Sequence, residues 1–249
     1  MDIHENYDTE QFKNDLKEIG IVLNEKQVYQ FVKYYEILME WNSFMNLTAI
    51  TDPDEVFKKH FVDSLSIVKA YDFLSELKKE KSLCMIDVGT GAGFPGIPIK
   101  IVFPDVKITL LDSLNKRIKF LNEVIEKLDL KDIDAVHGRA EDYAKQGQLR
   151  EKYNLSVSRA VANLSTLSEY CIPFVKLGGK FISYKSEKLM EELSSAKEAV
   201  TVLGGKVAGQ VDYMLPGSDI YRNLLIVDKI KATPKKFPRK AGLPSKEPI

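Results

Sequence analysis

The sequence predicts an α/β protein: an open, mostly parallel sheet that ends in an antiparallel hairpin and is preceded by a helical segment. Three observations carry this. After residue 78, short apolar runs alternate with helical stretches, the pattern of a parallel sheet covered on both faces. Near the end of that region two strand-like runs, 206–215 and 223–228, follow one another with only the turn-rich Pro216-Gly217-Ser218-Asp219 between them, as in a hairpin. Finally, the first strand runs straight into a glycine-rich loop beginning at Asp87, where sheets of this kind hold nucleotides.

Taken in order, the first 78 residues read as a helical extension. Phe12, Leu16 and Ile19 form a short stripe stopped by Gly20. Asn24 and Gln27 form a capping pair ahead of a longer helix with Val28, Phe31, Val32, Tyr35, Leu38 and Met39 on one face. Asp52-Pro53-Asp54-Glu55 opens another helix, with an N-cap acid, a proline in the first turn and a carboxylate three residues on. Its Phe57 and Phe61 read as packing rather than as a binding surface. The sheet follows over 79–230, with parallel strands expected at 83–88, 106–111, 133–136, 155–157 and 180–184 and helices at 95–103, 114–128 and 186–203. Residues 231–249 form a basic, proline-rich tail.

The chain has 249 residues, 44% of them hydrophobic, and no net charge. It contains no run of ~18 apolar residues, so no transmembrane helix is expected, and its acidic, polar start does not read as a secretory signal. Cys84 and Cys171 stand far apart within apolar runs, as inert thiols of a cytoplasmic protein. Zero net charge hides an asymmetry. Residues 229–249 carry seven basic side chains against Glu247 alone, which points to a polyanionic partner. The tail either touches phosphates or straps the domain with Phe237 as its anchor. On charge alone, its removal should leave cofactor affinity unchanged.

In Asp87-Val88-Gly89-Thr90-Gly91-Ala92-Gly93-Phe94 the glycines occupy the first, third and fifth positions, with an acid two residues before the first. A dinucleotide fingerprint wants glycine at the sixth position, here Phe94, and no Gly-Lys-Ser/Thr follows to make a P-loop. The spacing resembles the motif of S-adenosylmethionine-dependent methyltransferases. The whole pattern therefore resembles the class I (Rossmann-like) methyltransferase fold and not the dehydrogenase fold. Glycines let the backbone approach a ligand or take positive φ, and the next helix offers free N–H groups to a carboxylate. Asp112, at the end of the second strand, is placed to accept bonds from ribose hydroxyls. At the end of the third strand, an amide of Ala140 or Glu141, or the Glu141 carboxylate, could meet the adenine edge. Alternatively, Glu141 and Asp142 simply start a helix.

The fourth strand ends in Ser158-Arg159-Ala160-Val161, facing the reacting group. No Asn-Pro-Pro-Tyr for exocyclic amines stands here, and neither cysteine is placed to be the nucleophile for carbon-5 methylation. An atom that is already nucleophilic remains, and guanine N7 fits, with an in-plane lone pair and no proton to remove. Catalysis then rests on alignment, and no general base is expected. Arg159 is a candidate for contact with cofactor or guanine, or for a structural salt bridge. Lys185 is a candidate for phosphate or base, or a solvated lysine. His60 beside Asp63 reads as structural rather than catalytic.

Several motifs together resemble the RsmG (glucose-inhibited division protein B) family. They are Glu40-Trp41-Asn42 with Asn46-Leu47-Thr48, His60-Phe61-Val62-Asp63-Ser64, and the loop extended through Phe94-Pro95-Gly96-Ile97-Pro98. Leu111-Asp112-Ser113 with Lys116-Arg117, Ser158-Arg159-Ala160, and Thr233-Pro234-Lys235-Lys236-Phe237-Pro238-Arg239-Lys240 complete the set. The resemblance implies methylation of guanine N7 in 16S rRNA of the small ribosomal subunit, with S-adenosylmethionine as cofactor and no metal. It implies cofactor contact at Gly89, Phe94, Ala140, Glu141 and Arg159, to which the reading of the loop adds Asp87, Thr90, Gly91 and Asp112. The helical extension would frame the RNA side. A cytoplasmic monomer acting on rRNA or a small-subunit particle is expected. The rivals are an S-adenosylmethionine-dependent enzyme acting on a protein or small molecule, and a non-catalytic RNA-binding protein.

Overall fold

The computed structural model describes residues 7–159, 162–185 and 189–249. Ala160 and Val161 of the fourth-strand motif, and Ser186 at the expected start of a helix, lie outside the described residues.

Before the sheet come α1 (Glu10–Glu18), α2 (Glu25–Met45), α3 (Pro53–Val56), a π-helical stretch Phe57–Val62, α4 (Asp63–Leu65), a 3-10 turn Ser66–Lys69 and α5 (Phe73–Lys79). The start signals read from the sequence are present. Asn24 Oδ1 accepts from Gln27 N–H while Gln27 Oε1 accepts from Asn24 N–H, satisfying two amides that a helix start leaves free. Asp52 caps Glu55 with Pro53 in the first turn. The π-helical stretch has no signature in the sequence.

Seven strands follow: β1 (Cys84–Val88), β2 (Lys107–Asp112), β3 (Ile133–His137), β4 (Tyr153–Ser158), β5 (Val175–Lys185), β6 (Gly205–Met214) and β7 (Tyr221–Lys229). Their order is β3-β2-β1-β4-β5-β7-β6. The first five pair in parallel, and β7 runs antiparallel to both β5 and β6. This is the class I methyltransferase arrangement, with the hairpin at the edge and its second strand inserted inward. Strand β5 is longer than read, because Gly178 and Gly179 sit inside it rather than ending it. The interleaved helices are α6 (Gly96–Val102), α7 (Asn115–Lys127), α8 (Ala140–Tyr143), α9 (Leu164–Cys171) and α10 (Leu189–Val202), with α11 (Leu243–Lys246) in the tail.

Side chains alternate along β1, so Met85 joins the core on one face and Ile86 and Val88 the core on the other. The first core is continuous from Phe12, Phe31 and Phe61 through Ile97 and Phe120 to Leu110 and Leu224. The N-terminal helices are thus packed onto the sheet layer through an aromatic cluster. Phe31 and Phe61 lie 5.1 Å apart by ring centroid and Phe12 and Phe57 lie 5.2 Å apart, contacts of the kind whose loss to alanine costs about 3–5 kcal/mol. The second core holds Leu167, Phe174, Phe181 and Val227 and is closed by Phe237. The tail accordingly lies across the domain as a strap. Arg150 donates to the carbonyls of Thr233, Pro234 and Phe237, and Arg239 pairs with the buried carboxylate of Glu169.

Candidate functional site

Parallel strands direct their carboxyl ends to one side of the sheet, and the crevice there is the expected ligand site. A cleft of about 230 Å³, open to solvent on one side, lies at the ends of β1, β2 and β3, a little under the ~300–1,000 Å³ usual for small-molecule sites. Among its lining residues are Gly89, Asp112, Ala140 and Glu141, four of the expected cofactor residues, with Leu167 and Tyr170 of α9 opposite. Nothing in the sequence ties α9, and with it Leu167 and Tyr170, to this cleft.

Asp87, Thr90 and Gly91 are not among the residues lining the cleft; they shape the glycine loop that follows β1. The Asp87 side chain is fully buried, and its Oδ2 accepts from Thr90 Oγ1 at 2.7 Å and Gly96 N–H at 2.9 Å. Among the described residues its buried Oδ1 has no hydrogen-bond partner. A buried oxygen left without a donor costs about 1–3 kcal/mol. Burial pushes the Asp87 carboxyl up to about 7 against the pull of its two donors and Arg159. The first amides of α6 are therefore engaged within the protein, Gly96 N–H by Asp87 and Ile97 N–H by Gly93 O. They are not left for a ligand carboxylate as the sequence suggested.

Asp112 is also buried. Its Oδ2 accepts from Gly91 N–H and its Oδ1 from Leu114 N–H, each at 2.9 Å, with Arg117 at 3.2 Å. One carboxylate thus shapes the loop and borders the cleft. Gly91 has φ +62 with open space where a Cβ would stand, so backbone conformation alone demands glycine. Gly93 is different, since a Cβ there would come within 2.6 Å of the Tyr34 hydroxyl. Tyr34 donates to Ala92 O. This residue, outside the face read for its helix, ties α2 to the glycine loop.

Phe94 and Arg159 stand apart from the cleft lining. The Arg159 guanidinium lies 5.0 Å from the centre of the Phe94 ring, and His60 stacks on that ring at 4.6 Å. Arg159 Nη1 meets Asp63 Oδ2 at 3.0 Å, while Arg222 Nε holds Asp63 Oδ1 at 3.0 Å. Both alternatives for Arg159 thus have a physical basis, a salt bridge that is in place and a ring-stacked position beside the loop. Arg159 can only donate, so His60 Nδ1 accepts at 3.1 Å and Nε2 carries the proton toward Thr48 Oγ1 at 2.8 Å. Burial, aided by Arg159, lowers the His60 pKa to about 3, so the ring is neutral at physiological pH. Lys185 differs from the solvated lysine favoured by its sequence context. Its ammonium is buried against Ala162 O at 2.9 Å and Glu192 Oε2 at 2.6 Å.

The donor set fits an adenosine cofactor bearing a cationic centre. It offers an unpartnered acid at Asp87, a second acid at the end of β2, glycine backbone between them and a part-apolar wall at α9. Among solved structures, a TYW2 protein of M. jannaschii in complex with AdoMet superposes with a TM-score of 0.49 at 14% identity over 64% of this chain and 78% of that one. Sequence relatives are far closer. The ribosomal RNA small subunit methyltransferase G of Lachnoclostridium phytofermentans is 52% identical, covering 97% of this chain and 98% of its own. That of Alkaliphilus metalliredigens is 54% identical over 95% of this chain and 97% of its own. Residues 27–214 match the GidB family model, described as rRNA small subunit methyltransferase G. The chain belongs to that family.

Proposed function

We propose that this protein transfers a methyl group from S-adenosylmethionine to N7 of a guanine in 16S rRNA of the small ribosomal subunit. Family membership together with the cleft that joins Gly89, Asp112, Ala140 and Glu141 carries this reading. The cofactor supplies an electrophilic methyl group on sulfur. Asp112 would take the ribose hydroxyls, and Ala140 and Glu141 the adenine edge. Asp87, through its unpartnered oxygen, would take a cationic donor, while Thr90 and Gly91 keep the loop in shape. Phe94 and Arg159 lie toward the N-terminal helices, and we assign them to the side where the guanine enters. Lys185 is held by Ala162 and Glu192, and we give it a positioning role rather than contact with base.

N7 carries no proton, so its attack needs alignment and not a base. The groups nearby suit this. The His60 ring is a poor base at neutral pH, and burial pushes the Cys171 thiol far up, away from a nucleophilic thiolate. We further read the protein as a cytoplasmic monomer acting on rRNA or a small-subunit particle. Two free thiols fit a reducing compartment, and no helix among the described residues is long and apolar enough to cross a membrane.

The test is methyl transfer into rRNA lacking the modification, followed by nucleoside mass analysis. 7-Methylguanine is expected at one site, with no transfer when that guanine is replaced by 7-deazaguanine. The single-turnover rate should show no tenfold rise per pH unit between about pH 6 and 9. Methylation of the deaza substrate would overturn the N7 assignment, because carbon at that position has no in-plane lone pair.

A further inference from the structure

The tail reaches the cofactor cleft. Gly242 N–H donates to Glu141 Oε1 at 2.8 Å, and Glu141 is a buried lining residue of the cleft. Helix α9 is clasped by the same segment. Thr166 Oγ1 donates to Pro244 O at 3.0 Å and Ser165 Oγ to Ile249 O at 2.8 Å. Arg239 holds Glu169 through both Nε and Nη2. Helical spacing turns Leu167 and Tyr170 to the cleft and Ser165, Thr166 and Glu169 toward the tail. The two elements that wall the cleft around the expected adenine edge, α8 and α9, are therefore fastened by one stretch of chain, Arg239 to Ile249.

We infer that this stretch is a positioning element of the cofactor site, acting chiefly through the Gly242 amide on Glu141. A carboxylate with one oxygen held by a backbone donor has lost rotamers that it would otherwise sample, so its second oxygen meets a ligand donor already oriented. Without the amide, Glu141 is free to turn toward water and the α9 wall loses its backing. This rests on the cofactor reading above and deepens it. It also reverses the expectation drawn from charge alone, that loss of the tail spares cofactor affinity.

Deletion of 241–249 tests it cleanly. The cut removes Gly242, Pro244, Ser245 and Ile249 but leaves Phe237 and the Arg239–Glu169 pair, and the loss of Lys246 and Glu247 cancels in charge. S-adenosylmethionine affinity would be measured by calorimetry on the full chain and the deletion, each with and without Glu141→Ala. The deletion should raise Kd at least ~tenfold, with kcat at saturating cofactor and KM for RNA within about twofold of the full chain. In the Glu141→Ala background the deletion should add less than ~threefold, because the two changes remove one interaction. Should the deletion unfold, the full-length Ser165→Ala/Thr166→Val variant loosens the same stretch, and a rise in Kd of at least ~threefold is expected. An unchanged Kd in whichever variant folds overturns the inference, as does equal weakening in both Glu141 backgrounds. If the full chain binds no S-adenosylmethionine, the cofactor reading falls and this inference with it. If the full chain binds and the deletion does not matter, only the inference falls.

Discussion

Replacing Asp87 by asparagine should make the ligand-free protein more stable at neutral pH while weakening its hold on the cofactor. The asparagine would keep an oxygen for Thr90 and Gly96 and would put an amide where the unpartnered Oδ1 now lies. Burial raises the Asp87 carboxyl from 3.8 to about 7, so the fold prefers the neutral acid. Below about pH 4 both folded and unfolded chains carry the proton, and Asp87 imposes no penalty. As pH rises, the unfolded chain releases its proton first, and stability falls until about pH 7, above which the loss is constant. At ~1.4 kcal/mol per unit over roughly three units, the penalty is on the order of 4 kcal/mol. Urea unfolding of both proteins from pH 4 to 8 measures it. Their stabilities should converge at the acid end and separate by several kcal/mol at pH 8, the variant being the more stable. Parallel curves across that range would show that Asp87 does not titrate there and would refute the reasoning. A cationic ligand prefers the carboxylate, so wild-type affinity for S-adenosylmethionine should rise with pH through about 7, a dependence the variant lacks.

Asp112→Ala strips the acceptor from the Gly91 and Leu114 amides. It should cost about 2 kcal/mol in urea unfolding and at least ~tenfold in S-adenosylmethionine affinity by calorimetry; wild-type affinity would remove that acid from the site. Arg159→Ala leaves Asp63 with Arg222 alone and uncovers Phe94. Turnover should fall, with about 1–3 kcal/mol of stability, and Arg159→Lys should not rescue turnover, since a lysine cannot reproduce the planar contact with ring and carboxylate. Lys231, Lys235 and Lys240 are among the exposed tail lysines open to phosphate contact. Changing all three to Gln should lower the slope of log affinity for RNA against log salt by roughly 2, and a wild-type slope would confine the tail to its structural role.

The parallel strands are legible because each is a compact apolar run bounded by turn residues, and the helix starts because Asn24 with Gln27 and Asp52 with Pro53 satisfy orphan amides by local chemistry. What depends on distant pairing is not legible. The hairpin can be read from its turn, but nothing local says that β7 and not β6 lies beside β5. The same divide runs through the site. Gly89, Asp112, Ala140 and Glu141 sit at strand ends, where topology alone brings them together. The partners of Glu141 and Arg159 lie 101 and 96 residues away in sequence and leave no spacing to read. Charge counting misleads for a related reason. It scores Lys229 and Arg239 as free cations, whereas Lys229 is buried with Thr233 and Glu151, and Arg239 is held by Glu169.

The bond from Tyr34 to Ala92 bears on whether this architecture is modular. Helix α2 also reaches the backbones of α6 and α7, through Gln27 to Ile101 O at 2.9 Å and Gln30 to Leu128 O at 2.8 Å. The helices ahead of the sheet therefore do not behave as an appended adaptor that could be exchanged for another targeting element. A chimaera carrying foreign helices on this sheet would have to supply a hydroxyl where Tyr34 stands and a side-chain amide at each of two carbonyls, or the glycine loop would lose its brace. Inheritance of the two parts is coupled in the same way. Substitutions along the inner face of α2 are constrained by the loop it steadies, not merely by whatever substrate the outer face meets.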